Sequence, residues 1–175
     1  MKHVKKSVLL WYSAHEIYEL VIDVEAYPKF LPWCERAEII GGDDRGPTAR
    51  LFLAFSGLRH AFTTKNVQVR DESVHIGLID GPFSLLDGLW RFVPLPLPGG
   101  PDLAGPKTAS ACKIEFEMRY AFSTGVLEAA ISPVFDRIAN AFVDRFAQNS
   151  PIFRARRGKR MMHSVPALGI AIPIK

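Results

Sequence analysis

Ala111-Cys112-Lys113-Ile114-Glu115-Phe116-Glu117-Met118-Arg119-Tyr120-Ala121-Phe122 is the stretch that decides the fold. Cys112, Ile114, Phe116, Met118, Tyr120 and Phe122 fall in one phase, and Lys113, Glu115, Glu117 and Arg119 in the other. Strict alternation with one apolar and one charged face predicts a strand of an antiparallel sheet that is covered on one side only. What covers it follows directly in the chain. Over about 125–148, Leu127, Ile131, Val134, Phe135, Ile138, Phe142 and Phe146 form an apolar stripe at helical spacing, while Asp136, Arg137, Asp144 and Arg145 face away. Pro133 lies inside this run and predicts a kink near 129–133. A stripe that wide needs a broad apolar partner, which the strand's apolar face supplies.

Working backwards, 84–93 places Leu86, Gly88, Trp90 and Phe92 in one phase and Asp87 and Arg91 in the other, a second strand of the same kind. Between the two lies Pro94-Leu95-Pro96-Leu97-Pro98-Gly99-Gly100-Pro101, running on to Lys107, which reads as a protrusion from a hairpin. Further turns are expected at Ser56-Gly57, Asp71-Glu72-Ser73 and Asp80-Gly81-Pro82, and a loop over Gly41–Pro47. Near the start, Val8-Leu9-Leu10-Trp11-Tyr12 reads as a first strand, since no small-residue cleavage site follows it. Ser13-Ala14-His15-Glu16 is a capping box, and Ile17, Leu20, Val21 and Val24 predict an amphipathic helix over about 14–24. Pro28 and Pro32 then forbid a long regular helix, although the segment is rich in large apolar groups. The fold class expected is α+β: a curved antiparallel sheet wrapped around a long C-terminal helix. The apolar gap between the two suits a greasy small molecule.

Composition narrows the function. The 175 residues carry a net charge of +4, which invites a nucleic-acid reading until the charge is located. Residues 150–175 hold six Lys and Arg and no acid; residues 1–149 hold the other 16 against all 18 acids, a net −2. One domain over 1–149 is expected, with a basic and then apolar tail over 150–175 that is solvated and flexible. A slightly acidic domain gives no reason to expect DNA as a partner. Cys34 and Cys112 match no metal spacing and read as buried thiols, which fits a reducing cytoplasm. None of His3, His15, His60, His75 and His163 shows triad or ligand spacing to a cysteine or carboxylate, so neither a metal nor covalent catalysis is expected. Thr64, Asn66 and Gln68 share a phase and fit either a polar patch in the cavity or a wet outer face.

Several segments together resemble one family. They are Asp23-Val24-Glu25-Ala26-Tyr27-Pro28-Lys29-Phe30-Leu31-Pro32-Trp33-Cys34, Phe62-Thr63-Thr64-Lys65-Asn66, Asp80-Gly81-Pro82-Phe83, Leu85-Leu86-Asp87-Gly88 and Trp90-Arg91-Phe92. The family is the coenzyme Q-binding START-domain group, which also contains the ribosome association toxin RatA, within the polyketide cyclase/START-like superfamily of helix-grip folds. The resemblance covers about residues 3–149; the stretch 94–107 looks like an insertion and 150–175 an extension. It implies a hydrophobic tunnel that binds ubiquinone as ligand, with no other cofactor, in a carrier or chaperone that serves respiratory electron transport. By position, Tyr27, Leu31, Pro32 and Trp33 would line the mouth, Phe83, Leu86 and Trp90 the wall, and Leu127, Ile131 and Phe135 the helix side, with a Trp or Tyr edge donating to a quinone carbonyl. No catalytic residue is expected. Two alternatives stand beside this reading: a RatA-type toxin that blocks association of ribosomal subunits, and a polyketide cyclase-like enzyme. The basic and apolar stretch 154–174 adds the expectation of peripheral contact at the inner face of a membrane.

Overall fold

A computed structural model describes residues 1–55, 57–95, 111–129, 131–133 and 135–137. The chain opens with β1 (Lys2–Leu10), which leads into α1 (Ala14–Ile22) and a 3-10 helix over Val24–Lys29. Six strands follow: β2 (Cys34–Asp43), β3 (Gly46–Phe55), β4 (Leu58–Val69), β5 (Ser73–Asp80), β6 (Phe83–Pro94) and β7 (Cys112–Phe122). They form one seven-stranded antiparallel sheet in the order β1-β7-β6-β5-β4-β3-β2. Helical turns at 125–129, 131–133 and 135–137 follow β7. This is the helix-grip α+β architecture. The expected continuation of the helix over 138–148, residue 130 within the expected kink, residues 96–107 of the expected insertion and the expected tail 150–175 lie outside the described residues.

The capping box forms as its residue types require. Ser13 Oγ accepts from the Glu16 amide at 3.2 Å, and the Ser13 amide donates to Glu16 Oε2 at 2.8 Å, a cap of a kind that contributes about 1 kcal/mol. α1 ends at Ile22, two residues short of the expected boundary, because the chain tightens into the 3-10 helix that holds Pro28. The Tyr27 hydroxyl donates to the Val21 carbonyl at 2.6 Å and ties that turn back onto α1. α1 lies over β6, where Tyr18 meets Phe92 edge-on with ring centroids 5.9 Å apart.

The expected loop over Gly41–Pro47 is corrected to a tight hairpin. The β2–β3 ladder continues through Gly41↔Thr48, Gly42↔Pro47 and Asp43↔Gly46, with a bulge after Ile39. The glycines permit this approach: a Cβ at Gly42 would come within 2.9 Å of the Gly46 carbonyl oxygen, and one at Gly46 (φ +147°) within 2.2 Å of the Asn66 carbonyl oxygen. Turn residues placed in a ladder mark close backbone contact rather than a loop.

The sheet's two faces differ as the alternation requires. β7 and β6 turn Ile114, Phe116, Tyr120, Leu86, Trp90 and Phe92 inward, each at most 3% exposed. The outer face carries cross-strand charge pairs such as Lys5 with Glu117 and Arg119 with Asp87, which contribute little individually at a wet surface.

Candidate functional site

The antiparallel registers line up the inward side chains in rows across the sheet. One row runs Gln68, Val74, Trp90, Phe116, Lys6. The next runs Asn66, Ile76, Gly88, Met118, Val4. Beyond it, Thr64 pairs with Leu78, and Leu86 pairs with Tyr120 and through it with Lys2. The middle of the concave floor, on β5, β6 and β7, is therefore apolar, with a dip at Gly88, and its margins carry Gln68, Asn66, Thr64, Lys6 and Lys2. A Cβ at Gly88 would reach van der Waals contact with Ile76 and Met118, at 3.5–3.6 Å.

Thr64 and Asn66, left undecided by the sequence, face inward and are buried at 2% and 6% exposure. Thr64 Oγ1 donates to Asn66 Oδ1 at 3.1 Å. Burying two polar side chains on an apolar face costs free energy unless their hydrogen-bonding capacity is used. An amide held by its oxygen presents its two N–H donors elsewhere.

Eight of the ten residues expected to line the site belong to one continuous core: Tyr27, Leu31, Trp33, Phe83, Leu86, Trp90, Ile131 and Phe135. Leu127 is half-buried and packs against that core, whereas Pro32 is exposed. Phe83 and Phe135 meet directly, with centroids 4.8 Å apart, and Tyr120 and Phe122 join them. Trp90 packs on Phe116 at 4.5 Å and stacks along Phe92, beneath α1. Tyr27, Leu31 and Trp33 sit beside the β2–β3 end, where the Trp33 carbonyl accepts from the Ala54 amide at 2.9 Å. With its hydroxyl given to Val21 and its acidity suppressed by burial, Tyr27 fastens local structure.

A polar cluster on the helix side went unnoticed in the sequence. Asp136, expected to face away from the sheet, accepts from the Tyr120 hydroxyl and from Lys2 Nζ, and Lys2 also donates to Ser132. Burial alone would raise the Asp136 carboxyl; the hydrogen bonds from Lys2 and Tyr120 and the Lys2 charge outweigh it and hold it below its ordinary value. Burial, then the Asp136 carboxylate, push the Tyr120 hydroxyl up. The legible signal was Ser132 and Asp136 one turn apart, since the Lys2–Tyr120 register was not readable.

Three histidines make contacts that their spacing along the chain does not show. His3 meets Glu117 at 2.6 Å, His15 meets Asp71 at 2.6 Å and His75 approaches Asp87 at 3.4 Å. These pairs come from strand register and helix docking, which spacing along the chain does not reveal. β6 and β7 contribute no carboxylate or histidine to the concave face, and the carboxylate that meets inward-facing Tyr120 is Asp136, from the helix side.

Comparison with known proteins agrees with this fold. Residues 10–147 match the family described as polyketide cyclase / dehydrase and lipid transport. The chain is 35% identical to the ribosome association toxin RatA of Pseudomonas aeruginosa over 148 residues, 85% of this chain and 94% of that protein. It is 27% identical to the mitochondrial coenzyme Q-binding protein COQ10 of Drosophila melanogaster over 151 residues, 83% of this chain and 58% of that protein. Among solved structures, the Zhui aromatase/cyclase of a Streptomyces species superposes with a TM-score of 0.69 at 17% identity, covering 94% of this chain and 99% of that one, a likeness of fold.

Proposed function

Because the chain belongs to the polyketide cyclase/dehydrase and lipid transport family, in the group that holds RatA and COQ10, we propose that it is a non-catalytic carrier of a ubiquinone-like molecule. The observation that carries this reading is the buried Thr64–Asn66 pair beside the apolar middle of the concave face. A quinone combines a flat ring that bears two carbonyl acceptors with a long apolar tail. The Asn66 amide suits a carbonyl, and the floor around Gly88, Ile76 and Met118 suits the ring and tail. Such a ligand resides in membranes, and loading there gives the 154–174 stretch its role as a peripheral contact, on the inner leaflet of a cytoplasmic protein's membrane.

The test is organic extraction of the purified full-length protein followed by mass spectrometry, with Asn66→Leu beside it. The expected result is a quinone at near-stoichiometric yield that falls at least about tenfold in the variant, the scale on which a buried polar contact discriminates. Equal yield from a folded Asn66→Leu protein refutes the assigned contact, and an empty wild-type protein refutes the carrier.

The 35% identity over nearly all of a RatA protein favours a second reading, association with the ribosome. It is separated from the first by adding the protein to a mixture of ribosomal subunits and resolving them on a gradient. Loss of joined ribosomes with no extractable quinone supports the toxin reading.

A further inference from the structure

Outside the concave face, three metal-ligating side chains converge from two elements. His15 and Glu19 stand one turn apart on α1, and Asp71 sits in the β4–β5 turn. His15 Nδ1 lies 2.6 Å from Asp71 Oδ1 and 3.9 Å from Glu19 Oε1, and the three donor atoms are all within 4.8 Å of one another. From this geometry we infer a divalent transition-metal site, suited to zinc, formed by His15 Nδ1 and the carboxylates of Glu19 and Asp71.

A tetrahedral zinc with donors at about 2.0–2.2 Å holds them about 3.4 Å apart, which the observed separations bracket. A metal ion would take the place of the direct His15 Nδ1–Asp71 Oδ1 contact. One nitrogen and two carboxylate oxygens suit zinc, cobalt or nickel; calcium and magnesium prefer oxygen alone. The placement also favours an ion. Asp71 is only 5% exposed, so the β4–β5 turn holds a carboxylate buried against His15 of α1. Glu19 is half exposed and His15 partly so, which leaves the fourth position to water. Arg70, next to Asp71 in the chain, is exposed, so its charge is screened by solvent. Cys34 and Cys112 are buried and do not compete as ligands. The ion would clamp α1 to the β4–β5 turn, fixing the helix that roofs Trp90 and Phe92.

The experiment uses the full chain, stripped with a chelator and titrated with Zn2+ alone by calorimetry, then with Co2+ followed by visible absorption. The expected result is one Zn2+ per chain, a Co2+ spectrum of tetrahedral intensity and a melting temperature that rises with Zn2+. Asp71→Asn keeps the side-chain shape. It, His15→Ala and Glu19→Gln should each weaken Zn2+ binding by at least about tenfold, while His75→Ala at a separate His–Asp pair leaves it unchanged. Circular dichroism identifies any variant that fails to fold, and the remaining ones decide. Absence of saturable Zn2+ binding overturns the site, as does binding that persists unchanged in folded Asp71→Asn and Glu19→Gln proteins.

Discussion

Phe135→Ala separates a residue that seals the core from one that faces a ligand. Phe135 is 3% exposed, and its ring lies 4.8 Å from both Phe83 and Tyr120 and 6.2 Å from Phe122, centroid to centroid. Truncating a buried Phe to Ala typically costs about 3–5 kcal/mol, because the lost transfer energy is joined by the cavity left behind. Three aromatic neighbours within about 7 Å, each worth about 0.5–1.5 kcal/mol, place this site in the upper half of that range, about 4–5 kcal/mol. In a chain of this length each kcal/mol lowers the melting temperature by about 2–4 °C, so a fall of about 10–15 °C is expected. Urea and thermal unfolding followed by circular dichroism measure it. Val126→Ala at an 81% exposed position serves as control, with a change within about 0.5 kcal/mol. A loss below about 1 kcal/mol in Phe135→Ala would refute the packing argument. If ligand yield collapsed at the same time, Phe135 would be a wall of the binding space instead.

Gly81→Ala should cost about 2–4 kcal/mol in the same assay, since φ is +143° and the new Cβ would sit 2.6 Å from Phe62 Cβ; Gly125→Ala, with nothing within 4 Å, should be neutral or slightly stabilising. The depressed Asp136 carboxyl contributes stability that is present above its ordinary value of 3.8 and is lost as pH falls through its lower folded value. Asp136→Asn should therefore flatten the acid limb of the stability–pH curve below about pH 4, and an unchanged limb would remove Asp136 from the account. Burial pushes the Cys34 and Cys112 thiols up to about 11, so at pH 8 both should react slowly with a thiol reagent until the protein is denatured, whereas reaction at a free-cysteine rate would contradict their burial.

Elements whose reading depends only on neighbours in sequence were legible. β7 and β6 show period-2 alternation, α1 shows a capping box, and the Asp80–Pro82 turn carries its own punctuation. The Gly41–Pro47 hairpin was misread because glycine signals close backbone approach as well as looseness, and only the partner strand decides which. The inward orientation of Thr64 and Asn66 was undecidable from a polar phase alone; it is set by register against Ala49, Ile76 and Leu78. Asp136 was assigned outward from the helical stripe, yet Lys2 and Tyr120 meet it at the stripe's edge. His15 and Asp71 lie 56 residues apart, so no local spacing exposes their contact. Phe83, Leu86 and Trp90 are buried, as the apolar pattern of their strands requires, whereas the inward placement of the polar side chains follows from register.

The pairing of β1 with β7 has a consequence for how the molecule comes into being. Lys2 lies opposite Tyr120 and Leu10 opposite Cys112, so, among the described strands, the earliest in the chain is completed by the seventh. From β2 to β7 each strand can pair with its predecessor as it emerges, while β1 waits with its Val4 and Val8 side uncovered. Closing that separation makes the final ladder the slow, high-contact-order step. It leaves a nascent chain with an unpaired apolar-faced strand open to intermolecular pairing until synthesis has passed residue 122.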